Sequence, residues 1–389
     1  MILLINQFST PLFVDVVNAF HEKASEEIRY ITGSKEIRRL KVRSGVKIIR
    51  SISYNRSNLL TRLFTWLGFS IHTGLYVLFC KRPSAVVVVT NPPFAPWVAA
   101  VISRLRKYPF HLVIYDLYPD VLQQAGLMSA DNIIYRMWQR RNPKLFGRAQ
   151  RIITLSESMK AATVRYAPEE PDKILVIHNW ASVPERYEVA NDNLFIAQHN
   201  LGGRLIVFYA GNMGLTHDLE SVIEAAVILR DNPSIHFVFI GDGGKRKSLE
   251  AFRDRHRLTN VLFLPYLVED QFTQALGAAD IGVVTLGRGA EGISVPSKTY
   301  VNMAAGLCLL AIAPEESELT RIIRDHEAGI QIEPGHPQKV AECLLYLQRN
   351  PDILQKYKAN ARQAVEEFTP RNAHRYVEIV CGNCEQAQP

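Results

Sequence analysis

The chain has 389 residues, 47% apolar and 21% charged, which excludes a disordered or low-complexity polypeptide and exceeds what one hydrophobic core supports, so two domains are expected. The net charge of +7 is unevenly held: residues 1–182 carry 25 Lys and Arg against 12 Asp and Glu, and residues 183–389 carry 20 against 26. The basic clusters Arg38 to Arg43 and Arg136 to Arg148 come with no zinc-finger or RNA-binding signature, which leaves an anionic substrate or an anionic membrane surface, not nucleic acid, as partner of the first half.

In chain order, the first half holds seven short apolar, β-branched runs: MILLINQF, EIRYITG, VKIIRSI, AVVVVTNPP, FHLVIYDLYP, RIITLS and KILVIHN. Each opens into Gly, Pro, Asn or Asp and is followed by a helix-length pattern, the mark of βαβ units and a parallel sheet. Between the third and fourth lies LFTWLGFSIHTGLYVLFC, Leu63 to Cys80, close to the ~20 residues that a bilayer span requires. It contains His72, two Gly and two Thr and runs straight into a strand, so it reads as a largely buried helix of a soluble protein.

After residue 182 the apolar periodicity fades and a glycine pair follows, which sets the expected domains at 1–182 and 204–369 with a linker at 183–203. Residues 370–389 form a last helical segment expected to pack back on the first domain. The second half supplies five more strands, RLIVFYAGNMG, IHFVFIGDGG, VLFLPYL, IGVVTLG and CLLAIAP. The fold class is therefore α/β, with two doubly wound, Rossmann-like domains facing a central cleft. Five cysteines with no charged-then-apolar leader ahead of them point to a reducing cytoplasm, and the lone Cys381-x-x-Cys384 lacks the second pair that zinc would need.

In doubly wound sheets, ligands bind beyond the carboxyl ends of the strands. Three loops there suit an anion. GNMG places Gly211, Asn212 and Gly214 in a tight turn before a helix that begins near Asp218. GDGGKRKSLE places Gly243, Lys245, Arg246 and Lys247 where another helix starts, against the dipole, which a bound anion would explain. GISVPSK places Ser294, Ser297 and Lys298 at the mouth of a third. The plainer reading is that Ser297 caps the helix and Lys298 is solvated. In the first half, YDLYPD sets Asp116 and Asp120 just past a strand end. Asp116 is the functional candidate, and Asp120 is either a second one or a helix cap.

In the order GNMG, GDGGKRKSL, AADIGVV, GISVPSKTYVNMAAG, the second half resembles the nucleotide-sugar-binding domain of family 4 retaining glycosyltransferases. NPPFAPWVAAVISRL, YDLYPD and LSESMK with KILVIHNW are similar to the acceptor domain of bacterial members that build O-antigen and exopolysaccharide units, N-acetylfucosaminyl transferases among them. The resemblance covers nearly the whole chain. It implies a GT-B architecture, a UDP-sugar donor, a polyprenyl-diphosphate-linked sugar as acceptor, and front-face transfer with no metal or other cofactor. Many relatives carry an Arg, a Lys and a Glu where this chain has Asn212, His217 and Val301. By resemblance Arg246, Ser297 and Lys298 hold the diphosphate instead, Tyr266 and Leu267 of LPYLVED face the base, and the Ser9-Thr10-Pro11 loop lies near the substrates.

Two other classes stay open, a sugar-nucleotide epimerase of the same fold and a non-catalytic sugar-nucleotide-binding protein. The basic half is expected to dock on the inner face of the bacterial inner membrane, with Phe64, Trp66 and Phe69 seated among the headgroups.

Overall fold

In a computed structural model, residues 1–35, 37, 41–55, 58–124, 126–181, 193–214, 217–289 and 296–382 are described, residue 59 by its backbone alone. The chain divides into two compact units, Met1–Asn179 with Pro370–Pro389, and Trp180–Glu291 with Val295–Thr369; residues 292–294 group with the first.

The first unit runs β1 (Ile2–Ile5), α1 (Pro11–Lys23), β2 (Ile28–Thr32), β3 (Lys47–Arg50), α2 (Leu59–Phe79), β4 (Ala85–Val89), α3 (Ala95–Arg106), β5 (Phe110–Val113), α4 (Asp120–Gln124), α5 (Ile133–Arg148), β6 (Arg151–Thr154), α6 (Glu157–Val164) and β7 (Ile174–Val176). The second runs α7 (Leu194–Gln198), β8 (Leu205–Ala210), α8 (Glu220–Ile228), β9 (Ile235–Ile240), α9 (Arg246–His256), β10 (Val261–Leu264), α10 (Glu269–Ala278), β11 (Ile281–Thr285), α11 (Lys298–Ala304), β12 (Cys308–Ile312), α12 (Glu318–Asp325), β13 (Gly329–Ile332), α13 (Pro337–Arg349) and α14 (Pro351–Ala364). Then α15 (Asn372–Cys381) packs on α1 in the first unit.

Both sheets are parallel and wound alike, in the orders β3-β2-β1-β4-β5-β6-β7 and β10-β9-β8-β11-β12-β13. The order reverses beside β1 in one and beside β8 in the other, so β1/β4 and β8/β11 are the switch points where such sheets open a crevice at their carboxyl ends. Strands covered on both faces need apolar side chains in both directions, which is why β4, AVVVV, is buried throughout. In the second sheet Val207, Tyr209, Phe237 and Phe239 face one core layer while Ile206, Phe208, Val238 and Ile240 face the other. Local signals start the helices: Thr10 accepts from the Phe13 N–H ahead of Pro11, and Asn58 and Thr61 close a reciprocal capping box on α2.

Three elements differ from expectation. The strand β13, GIQI, was absent from the sequence reading because a four-residue edge run with one Gln has no distinctive pattern. Part of the expected linker is the helix α7, capped by Asn193 and packed on α10 through Phe195; residues 182–192 lie outside the described ones. And α2 is buried on one side only: Trp66 and Phe69 point inward, against their expected place among headgroups, while Phe64 is exposed. Its pattern is apolar all round, so its inner face alone satisfies the core. Among the described residues no helix is long and apolar enough to cross a membrane.

Candidate functional site

The second switch point brings β8, the turn after it and the start of α11 together. Lys298 donates from Nζ to the Tyr209 hydroxyl at 2.7 Å and sits 4.0 Å from the centre of that ring. Tyr209 in turn donates to the Asn212 carbonyl at 2.7 Å, so the Nδ1–H of His217, 2.8 Å away, donates to the phenol oxygen. Among the described residues no carboxylate pairs with Lys298. Burial without a counter-charge pulls its pKa down to about 7, and burial together with Lys298 and Lys245 pulls that of His217 to about 3. An ammonium held ready by a phenol and a ring face, with its charge uncompensated, is arranged to receive an anion.

Two neighbouring cations, Lys245 and Arg246, are engaged. Lys245 donates to the His217 carbonyl and pairs with Glu220 at 2.8 Å. Arg246 pairs with Glu250 at 2.9 Å and donates to the carbonyls of Gly241 and Leu264, tying the β9 turn to the end of β10. Carboxylates and carbonyls thus supply the reason for cations at the start of α9 that the sequence reading assigned to a bound anion. Lys247 is exposed.

The glycines of this region serve packing. A Cβ on Gly241 (φ 130°) would stand 2.1 Å from the Gly211 oxygen, and one on Gly243 (φ 149°) within 2.7 Å of the Met213 backbone, so the two turns lie directly against each other. The N–H groups of Gly211 and Met213 are bound to Ile240 and Asp242, which removes two of the turn's donors from an anion. Gly211 (φ 124°) leaves room where Lys298 passes, 3.6 Å from the position of an absent Cβ. Asn212 is exposed, and Gly214 closes the turn beside its amide.

Ser297 is exposed and makes no side-chain cap to α11, so capping does not account for it. Ser294 lies outside the described residues, as do Glu291 and Cys384. Tyr266 is exposed, and Leu267 packs on the core layer of Phe208; burial first, and Tyr266 second, push the Tyr209 pKa up. Val301 packs on the same layer, so the position where the resemblance led one to expect Glu is apolar.

At the first switch point the strands β1 and β4 end in neutral amides. Asn6 and Gln7 follow β1 and Asn91 follows β4; among the described residues Asn6 Nδ2, Gln7 Oε1 and Asn91 Oδ1 are buried without a partner. Asp116 is half-buried past β5, in a loop fixed by the Thr90 hydroxyl, which accepts the N–H groups of Tyr115 and Asp116 at 3.2 and 3.3 Å. Asp120 is not presented at all. It is buried, accepts the Tyr166 hydroxyl at 2.8 Å and pairs with Arg165 at 2.5 Å. Ser9 is likewise internal, bonded to Tyr30 and Thr32. The sequence reading missed Tyr209, because a Tyr inside a strand run reads as core until its hydroxyl is seen at the sheet's edge.

Two doubly wound parallel sheets of this order define the GT-B class of folds. Anabaena Alr3699/HepE, solved in complex with UDP-glucose, shares that fold with a TM-score of 0.73 over 97% of both chains, at 15% identity. More particularly, residues 191–364, nearly all of which lie in the second unit, match the family described as "Glycosyl transferases group 1". The chain is 26% identical over 265 residues to the probable glycosyltransferase WbjE of Pseudomonas aeruginosa, covering 68% of this chain and 66% of that one. It is 29% identical over 221 residues to the putative colanic acid biosynthesis glycosyl transferase WcaI of Escherichia coli K12, covering 55% and 52%. The matched segments span less than two thirds of either relative.

Proposed function

We propose that the protein is a retaining glycosyltransferase of family 4 that moves a sugar from a UDP-sugar to a lipid-linked acceptor in the assembly of a bacterial surface polysaccharide. The observation that carries this reading is Lys298, a half-buried amine held on Tyr209 with no paired carboxylate among the described residues, at the switch point of the segment that matches group 1. A nucleoside diphosphate is the anion that suits it, and HepE has been solved in complex with UDP and with UDP-glucose.

In this reading the bond from the sugar's anomeric carbon to the diphosphate breaks, and the acceptor hydroxyl attacks from the same face. Its proton passes to the departing diphosphate oxygen. The negative charge growing there is met by Lys298, whose place is set before the reaction by Tyr209; a preorganised donor of this kind lowers the barrier by about 3 kcal/mol. Binding the diphosphate draws the pKa of Lys298 upward, so the ammonium is fully charged when it is needed. Arg246 acts through the turn it ties, and Ser297 and Tyr266 are exposed to contact phosphate and base. In the first unit Asp116 orients the acceptor hydroxyl, and the unpartnered atoms Asn6 Nδ2, Gln7 Oε1 and Asn91 Oδ1 suit the hydroxyl groups of a sugar. No step calls on a metal.

Labelled UDP-sugars, incubated with and without a polyprenyl-diphosphate sugar, test the reading. Transfer only when the lipid is present supports it. Interconversion of the free sugar nucleotide would mean an epimerase, and binding without turnover a non-catalytic protein.

A further inference from the structure

Among the described residues, α2 carries more exposed large apolar side chains than any other helix. Leu60, Phe64, Leu67, Ile71, Leu75 and Leu78 recur at intervals of three and four residues, which sets them on one helix face, and all are exposed, Phe64 at 69% and Ile71 at 59%. The opposite face is firmly seated: Phe69 is fully buried, and Trp66 stacks on Tyr54 and meets Phe94 and Tyr118 edge-on. The helix is therefore held in place while its outer stripe, about 30 Å long at the usual rise, stays uncovered. The neighbouring helix α3 adds exposed Val101 and Leu105, and α5, packed on α3, adds Ile133 and Ile134.

Charge selects the occupant. From residue 37 to residue 115 the sequence holds 13 Lys and Arg and not one Asp or Glu, and α5 adds five more basic residues and no acid. Lys81, Arg104 and Lys107 are exposed beside the stripe, at the ends of α2 and α3, and Arg140 and Lys144 are exposed on α5. A second copy of this chain would set like charges against like across such a face. A bilayer with anionic headgroups would take the apolar stripe into its interfacial layer and the rim of cations onto its phosphates.

We infer that the outer face of α2, with its neighbours on α3 and α5, is a monotopic docking surface for an anionic phospholipid bilayer. The inference rests on the reading that the acceptor is lipid-linked, and it moves the contact from the aromatic trio expected at first to an aliphatic stripe with Phe64 within it. The helix lies in the plane of the interface rather than across it.

The test is flotation of the full chain with phosphatidylcholine vesicles, with and without phosphatidylglycerol, at low and high salt. The expected result is recovery only with phosphatidylglycerol, reduced by salt, and weakened about tenfold or more in both Phe64→Glu/Ile71→Glu and Arg104→Glu/Lys107→Glu. Each variant is checked by circular dichroism and by UDP titration in solution, which the surface does not touch. Equal recovery on neutral vesicles, salt-resistant recovery, or undiminished recovery of both folded variants overturns the inference. So does a wild-type dimer in sedimentation that Phe64→Glu/Ile71→Glu dissociates, which would make the face an interface between copies. A failure of UDP to bind, with vesicle binding intact, would count against the glycosyltransferase reading and leave the docking surface standing.

Discussion

At the switch point of the second unit an ammonium packs over a phenol ring with no counter-charge among the described residues, whereas at that of the first unit the strands β1 and β4 end in neutral amides. The sheets are wound in the same order, so topology does not account for the difference. It comes from a few side chains at the carboxyl ends: Lys298 and Tyr209 on one side, and Asn6, Gln7, Asn91 and Asp116 on the other. One crevice is furnished for an anion and the other for hydroxyl groups, and function lies in that furnishing rather than in the fold.

The largest expected effect is at the charged crevice. Lys298→Met should weaken UDP binding by about tenfold to a hundredfold, read by calorimetry, because it removes a charge-assisted contact. At pH 7 and above it should also leave the melting temperature unchanged or raised. The folded pKa of Lys298 is depressed to about 7 from an ordinary 10.5, so between those values the unfolded chain binds a proton that the folded one does not, a penalty the Met variant lacks. A lower melting temperature with unaltered UDP affinity would make Lys298 a structural residue.

Asp116→Asn should lower kcat by about a hundredfold with UDP affinity unchanged, since Asp116 belongs to the unit that lacks Lys298. Loss of UDP binding in this variant would erase the contrast between the units. Arg246→Ala should lower the melting temperature by releasing the carbonyls of Gly241 and Leu264, and weaken UDP binding less than Lys298→Met does. An equal loss of affinity in the two variants would put Arg246 on the diphosphate itself.

The smallest effect concerns acid. Burial holds His111 of the first unit at a pKa of about 4, and His217 and His236 of the second at about 3 and about 4, all below the ordinary 6.5. Groups kept neutral by the fold stabilise it fully above 6.5, and that stability is lost as the pH falls toward 4. Urea midpoints should therefore drop over this range, and replacing His236 with Gln should flatten the slope. A midpoint independent of pH would show that these rings are not held neutral.

Twelve of the thirteen strands were legible through their apolar, β-branched runs, the exposed edge β3 among them; β13, GIQI, is a short edge interrupted by Gln331 and was not. The inner and outer faces of α2 were not separable, since a helix apolar all round carries no phase to say which side meets the core. At the candidate site, the loops that hold Gly211, Gly243, Arg246 and Lys298 were found by their composition and their place after strands. Which cation was uncompensated could not be read there. That depends on Glu220 and Glu250 reaching Lys245 and Arg246, and on Tyr209 reaching Lys298 across 89 positions of sequence.

The central claim is that Lys298 is a proton-linked anion receptor. Calorimetric titration of the full chain with UDP at about pH 8, in buffers of different ionisation heat, measures it directly, since binding an anion beside an amine that is mostly neutral at that pH takes up a proton. The account predicts an uptake approaching one proton per UDP, an affinity that falls as the pH rises past 7, and the loss of both in Lys298→Met. Heats that do not depend on the buffer in the wild type, or an uptake that persists in the variant, would contradict it.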